Sequence, residues 1–498
     1  MNQPAVADSI FFDPAHALAT ARQRNRLPVW GHVDGCQVCY AIASSDDAPV
    51  ADAPDNFALL DTKLMIDQLV VARTRLPTAI VFPPGIADET QAEFTRLVQV
   101  VMNEVHRRRQ AQTKMLMEQI QGMALAPATG RALRVFANAS RTTTVMQYAS
   151  RGILAGFKSL GHEVSLALEA NDCEELSTLH RLRAIEEFAP DLIFLINHHL
   201  PMICPPDVVQ VTWWQDEMPS LKDDQPMEWR AKDLVYCLDR QNFQPLLLAK
   251  HLPESRIRVQ QGCIDETVFQ PDPDFPRSQR RLVFVGSNHI ESLLGTEGQR
   301  LAAAMVELTH SGIALTMADF GRLAISVGID PIQHDASLKT LWCSVVRTLA
   351  VHWACSLIGW EVEIYGYGWD IDPVVKPFFR GSIANGKPLA DLYRGASHGL
   401  VVHPFLVNHQ RLAEVACCGC TPVVFDCRLA SEPPYWDDQC LYFVSETDFR
   451  LSLSRHVALE PDRFRRHFSY ASFAERILAD ARSEGMLPSC DPLQVTAP

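Results

Sequence analysis

The chain has no apolar run of the ~18 residues that a membrane-spanning helix needs. Its start, MNQPAVADS, lacks the basic segment and apolar stretch of a secretion signal. Basic residues are in deficit: 45 Lys and Arg stand against 59 Asp and Glu, a formal net charge of −14. Nucleic acid and anionic membrane surfaces are therefore poor partners. The first strand of neither α/β half carries G-x-G-x-x-G, which disfavours NAD and FAD, and no G-x-x-x-x-G-K-[ST] is present, which excludes a P-loop kinase. Cys36 and Cys39 form a CxxC with no second pair at the spacing of a structural zinc site. These absences lead to the expectation of a cytoplasmic protein whose 14 cysteines are free thiols. Cys237, Cys343, Cys355, Cys417 and Cys418 sit in apolar surroundings, where cysteine acts as a small hydrophobe.

What is present is ordinary for a globular protein: 47% hydrophobic and 21% charged residues in a chain of 498, enough for about three domains. Residues 1–125 read as an accessory α/β module, with strands at 37–42 and 79–82 and a long helix from about Glu89 to Met123. Phe94, Leu97, Val98, Val101 and Val105 recur in that helix at helical spacing. The basic run Arg107 to Arg109 reads as a solvated face. From Leu133 strands and helices alternate: LRVFANA, EVSLAL, DLIFLIN, VVQVTWW, DLVYCLD and RIRVQQ are the strands. This predicts a parallel, doubly wound sheet over 131–270. PDPDFPRSQR (271–280) has the Pro-rich polar composition of a linker. The alternation restarts at RLVFVG and predicts a second such domain over 281–460, followed by a terminal helix over 461–485 that crosses back to the first domain. Residues 290–360 exceed one crossover and read as two or more helices, a lid or extra packing.

The stretch GLVVHPFLVNHQRLAEVACCGCTPVVFD (399–426) carries most of the chemistry. An apolar strand leads through a polar loop into a short helix with Arg411 and Glu414, stopped by Gly419, then a second strand. The carboxyl edge of an open α/β sheet is where ligands bind. Free N–H groups at a helix start suit a phosphate, and a carboxylate there can accept from both hydroxyls of a ribose. Elsewhere, GASHG (395–399) spells G-x-S-x-G, but with its helix before and its strand after, the reverse of a nucleophile elbow, so a serine hydrolase is rejected. Asp272-Pro-Asp274 and Asp370-Ile-Asp372 each spell D-x-D; no required metal is expected.

EVACCG (414–419) resembles the E-A-M-A-x-G signature of group 1 glycosyltransferases of the GT-B fold. QGCIDETVFQP (261–271), RLVFVGS (281–287), VEIYGYGW (362–369), FFRGSI (378–383) and LADLYRGASHGLVVHP (389–404) follow that family's order of strand, glycine turn, strand, helix and strand. Arg411, three residues before Glu414, is similar to the spore-maturation-type branch. The resemblance spans residues 131–480. It implies two Rossmann-like domains facing a cleft, a nucleotide-sugar donor as co-substrate with no further cofactor, and an acceptor, protein or glycan, that remains open. It implies donor binding by Gly286, Ser287, Tyr365, Gly366, Gly368, Gly381, Ser382, His403, Arg411 and Glu414. Leu406 stands where many group 1 enzymes carry a second Glu, and Ser287, Asn288 and His289 replace a basic pair that often grips the diphosphate.

An inverting transferase needs a base for the acceptor proton. Asp216, in WWQDEMP, and His198, after DLIFLIN, are the candidates on the first domain. Trp213 and Trp214 either stack on a sugar or base and lower the local polarity, raising the Asp216 pKa, or pack in the core. The competing readings are a nucleotide-sugar epimerase or hydrolase of the same fold, and a catalytically silent sugar- or nucleotide-binding partner.

Overall fold

The computed structural model describes residues 8–24, 37–43, 52–123, 131–141, 143–288, 295–310, 317–331, 333–403, 405–428 and 436–488. The chain divides into two compact units, residues 1–260 with 474–498, and residues 261–473.

The first unit holds two parallel sheets. Strands β1 (Ser9–Phe11), β2 (Cys39–Ala43), β3 (Phe57–Asp61) and β4 (Ala79–Val81) pair in the order β3-β2-β1-β4. They are accompanied by α1 (Pro14–Arg24), α2 (Met65–Val71) and the long α3 (Asp88–Gln121). β1, β3, α1 and α2 escaped the sequence reading. Along α3, Val98, Val101 and Val105 pack with Ile10, Tyr40 and Leu69, and Leu116 and Ile120 continue the stripe into a second core. Arg109 is not on a solvated face. Its guanidinium donates to the carbonyls of Leu69, Val70 and Ala72 at 2.7, 3.2 and 2.8 Å, satisfying orphan acceptors at the end of α2. Cys173 is disulfide-bonded, which departs from the free-thiol expectation; among the described residues eleven other cysteines are free.

The second sheet contains β5 (Arg134–Asn138), β6 (Glu163–Ala167), β7 (Leu192–Ile196), β8 (Val209–Trp214), β9 (Asp233–Cys237) and β10 (Ile257–Val259), ordered β10-β9-β8-β7-β5-β6 and parallel throughout. β7, β8 and β9 are buried at every position, as covering both faces requires. Helices α4 (Thr144–Ser159), α5 (Thr178–Phe188), α6 (Pro219–Lys222) and α7 (Arg240–Ala249) connect them. Leu179, Leu182 and Ile185 of α5 share a core with Leu116 and Ile120 of α3.

The second unit is built on β11 (Arg281–Val285), β12 (Glu361–Tyr365), β13 (His398–Val401), β14 (Thr421–Phe425) and β15 (Leu441–Phe443), in the parallel order β12-β11-β13-β14-β15. Between β11 and β12 run α8 (Gly295–His310), α9 (Met317–Ser326) and α10 (Asp335–Cys355); α11 (Lys387–Gly395), α12 (Gln410–Cys417), α13 (Glu446–Ser452) and α14 (Pro461–Phe468) follow. FFRGSI, expected as a strand, contributes only an isolated bridge from Phe379 to Ile364. Residues 271–280, expected as a linker, are anchored in this unit. Arg277 donates to the carbonyls of Arg394, Cys418 and Gly419, and the Ser278 N–H to Gly395. Ile264 and Phe269, upstream of them, are already in its core. The last helix, α15 (Tyr470–Ser483), passes at Ala474 into the grouping of the first unit, where Asp480 accepts from Tyr236 at 2.5 Å and pairs with Arg258 at 3.1 Å.

Candidate functional site

In each doubly wound sheet the chain leaves its first strand to one side and then returns to the other. That reversal opens a crevice beyond the carboxyl ends of the two strands it separates. In the second unit these are β11 and β13, and in the sheet of β5–β10 they are β5 and β7.

Beyond β13, residues 402–409 lead into α12. His409 caps the helix, its Nδ1 accepting from the Arg411 N–H at 3.2 Å. Glu414 is 2% exposed. One of its carboxylate oxygens accepts from Gln410 Nε2 at 2.9 Å and the other from Arg411 Nη1 at 2.5 Å. Burial raises the Glu414 pKa, and the Arg411 charge opposes that rise. Tyr393, also buried, lies beside both, its phenol pushed up chiefly by burial.

His403 and His409 stack with ring centroids 4.6 Å apart and planes 17° from parallel. Burial, then the neighbouring Arg347, pushes the His403 imidazole down to about 4. Burial also holds His409 well below its ordinary value, assisted by His403, Arg411 and Arg347. Both rings are neutral at pH 7, and His403 Nδ1 is buried with no hydrogen-bond partner.

Arg347, on α10, was missed in the sequence. Its Nη1 donates to the Ser287 carbonyl at 2.7 Å, beside the turn that follows β11. No Asp or Glu among the described residues pairs with it. A lone Arg in a helical insertion carries no local signal; only the packing of α10 on residues 287–288 brings it to the crevice.

The turn after β11 is laced to the turn after β12. Gly286 N–H donates to Tyr365 O at 2.9 Å, Asn288 N–H to Tyr367 O at 2.7 Å, and Trp369 Nε1 to Gly286 O at 2.7 Å. A Cβ on Gly366 would come within 2.3 Å of Gly286 O, and one on Gly368 within 2.6 Å of Asn288 O. Their close approach is to the neighbouring turn. Gly381 O accepts from Gly366 N–H at 2.9 Å, Ser382 bonds the half-exposed Tyr367, and Tyr365 donates to Glu363 at 3.0 Å. Of the donor-binding candidates, His403, Arg411 and Glu414 gather at the β13 edge, and Gly286 and Ser287 follow the adjacent strand. Tyr365, Gly366, Gly368, Gly381 and Ser382 form the β12 side.

In the first unit, Asn197 ends β7 in the left-handed region at φ +58°, which Asn tolerates better than most residues. Its buried Oδ1 accepts from the N–H groups of Gln215 and Asp216 at 2.6 and 3.0 Å, and its Nδ2 donates to Asp216 Oδ2 at 2.7 Å. Asn197 thus fixes the Asp216 carboxylate, a role the sequence did not suggest. Asp216 is exposed, so it lies in no low-polarity pocket. Trp213 and Trp214 are 1% and 0% exposed, and Trp213 Nε1 donates to Gln260 O at 2.8 Å. Core packing holds both rings, which corrects the stacking alternative. His198 is exposed after β7, its pKa lowered by desolvation and then by Arg181. His199 is structural, buried against Trp229 at 4.3 Å and bonded to Glu228 O at 2.8 Å.

Among the described residues no group of three or more His, Cys, Asp or Glu could hold a metal ion. Asp372 is already engaged, accepting from His352 Nε2 at 2.7 Å and from the Val374 N–H at 2.9 Å. A groove of about 640 Å³ lies in the first unit between α3 and the start of α5, lined by Arg109, Thr113, Met117, Leu179 and Met202 among others.

No described protein family and no curated protein matches the sequence. Solved structures do match. A glycosyltransferase involved in avilamycin A biosynthesis, AviGT4, is 14% identical with a TM-score of 0.41, over 70% of this chain and 97% of that one. Sucrose-phosphate synthase from Thermosynechococcus elongatus is 11% identical with a TM-score of 0.44, over 70% and 98%. HepE from Anabaena, solved in complex with UDP, is 9% identical with a TM-score of 0.41, over 71% and 100%. Likeness at this level adds nothing to the strand order and side chains described above, and the reading below rests on those.

Proposed function

We propose that this chain is a glycosyltransferase that moves a sugar from a nucleotide-sugar donor to an acceptor without a required metal, the donor nucleotide being held in the second unit. The observation that carries this is the buried Glu414–Arg411 pair in α12, beside a second guanidinium, at the switch point between β11 and β13. Glu414 has one protein partner on each oxygen. A carboxylate has about four lone-pair sites, so acceptor capacity remains for two ribose hydroxyls. Arg411 and Arg347 would offset the charge that grows on the departing nucleotide, the largest electrostatic need of the transfer. The positions of Arg411 and Glu414 favour the spore-maturation-type branch.

Asp216, held by Asn197, is the proposed base for the acceptor proton, with His198 as the alternative. Asp216 is exposed, and substrate positioning has to supply much of the rate. No helix among the described residues is long and apolar enough to cross a membrane, and the proposed location is the cytoplasm. Leu406, where a second carboxylate is usual, favours one competing reading, binding without turnover.

Incubation with a panel of nucleotide sugars tests the proposal. Free nucleotide that appears only with an added acceptor supports transfer. Nucleotide or sugar product without an acceptor moves the assignment to a hydrolase or epimerase, and binding without any product moves it to the silent protein.

A further inference from the structure

We propose that Arg347, supplied by the helical segment between β11 and β12, makes this crevice select a nucleotide with two phosphates over one with a single phosphate. The inference rests on the nucleotide reading above and adds a residue and a selectivity to it. The charge count is the starting point. Arg411 is neutralised by Glu414, and both stacked imidazoles are neutral at pH 7. Among the described residues Arg347 is left as the cation without a paired carboxylate, two guanidiniums standing against one carboxylate.

Its geometry suits an anion. One Nη1 donor is fixed on the Ser287 carbonyl, while its Nε is buried and has no partner. The guanidinium has about five N–H donors in a rigid fork, so most of its capacity is unspent. Its anchor, Ser287, follows β11, and α12 follows the neighbouring strand β13, so both lie at the same crevice. A first phosphate at that helix start meets Arg411 and the helix N–H groups. A second phosphate, carrying the second negative charge, needs the second cation, and fork-like pairing of Arg with phosphate supplies it. Gly286, Ser287 and Asn288 after β11 carry no basic side chain; α10 brings Arg347 to that turn. Residues 335–355 are thus part of the binding wall.

The test is calorimetric titration of the full chain with UDP, GDP and ADP, and with UMP, GMP and AMP, at one fixed ionic strength. For whichever base binds, the diphosphate is expected to bind roughly ten- to a hundredfold tighter than the monophosphate, the range for a charge-assisted hydrogen-bonded contact. Arg347→Gln should bring that ratio close to one while monophosphate affinity changes little. Arg347→Lys should keep part of it, because the charge remains and the fork is lost. If Arg347→Gln melts early, Arg347→Met, which keeps the aliphatic stem, replaces it. A full ratio in either uncharged variant overturns the role of Arg347 and leaves the nucleotide reading standing. No binding of any nucleotide by the unmodified chain overturns both.

Discussion

Glu414 does two things at once, and its substitution separates them. It balances the charge of Arg411 inside the second unit, and it is the proposed ribose acceptor. Glu414→Ala should weaken donor nucleotide binding by about 1–3 kcal/mol, the cost of losing charged hydrogen bonds. It should also destabilise the fold by on the order of 3 kcal/mol, because a partly buried guanidinium loses its partner. Calorimetry and thermal melting read the two effects independently, and unchanged nucleotide affinity removes the ribose assignment. Asp216 makes a contrasting case. It is exposed and bonded by Asn197, so Asp216→Asn should leave the melting temperature nearly unchanged while lowering kcat by about a hundredfold or more if it is the base. Normal turnover would transfer the role to His198. Both residues were singled out in the sequence as candidates. Asn197 and Arg347 were not, because each acts across a strand or helix boundary and leaves no local spacing.

At the scale of the element, the strongly apolar strands were legible and the short or irregular pieces were not. DLIFLIN and VVQVTWW became β7 and β8, buried along their lengths, since a strand covered on both faces must be apolar at every position. FFRGSI has the composition of a strand, yet its backbone turns away after one bridge to Ile364. The glycines of YGYG were singled out in the sequence; the structure shows how tightly they approach the neighbouring turn. Gly366, at φ +132°, faces Gly286 O where a Cβ would be 2.3 Å away. Gly366→Ala should therefore destabilise the second unit by about 1–3 kcal/mol, through backbone strain and overpacking. It should also disturb the turn that carries Ser287. A melting temperature equal to that of the unmodified chain would show that the two turns can separate at little cost.

At the scale of the whole molecule, buried histidines in the second unit set a pH dependence. His398 and His403 are pushed down to about 4 by burial, and His409 is lowered as well. A histidine depressed in the fold binds its proton more readily when unfolded. Its stabilising effect is complete above the ordinary value near 6.5 and is lost as pH falls from there toward about 4. His398 and His403 each contribute on the order of 1–3 kcal/mol over that window. Glu414, raised by burial, works in the opposite direction at the acidic end. Thermal melts should therefore fall between about pH 7.5 and about pH 5, and His403→Gln should flatten the decline. A melting temperature that does not change over that range rejects the assignment.

The sequence alone determined the parallel class of the sheets over 131–270 and 281–460 and the succession of most of their strands along the chain, and it singled out the stretch around Glu414, because covered strands and amphipathic helices are periodic and periodicity is local. Tertiary structure decided the strand order that creates each switch point and the lacing of the two glycine turns. It also placed Trp213 and Trp214 in the core and brought Arg347 to Ser287. Those outcomes depend on contacts between residues far apart in the chain, and on charges that are matched or left unmatched only after burial.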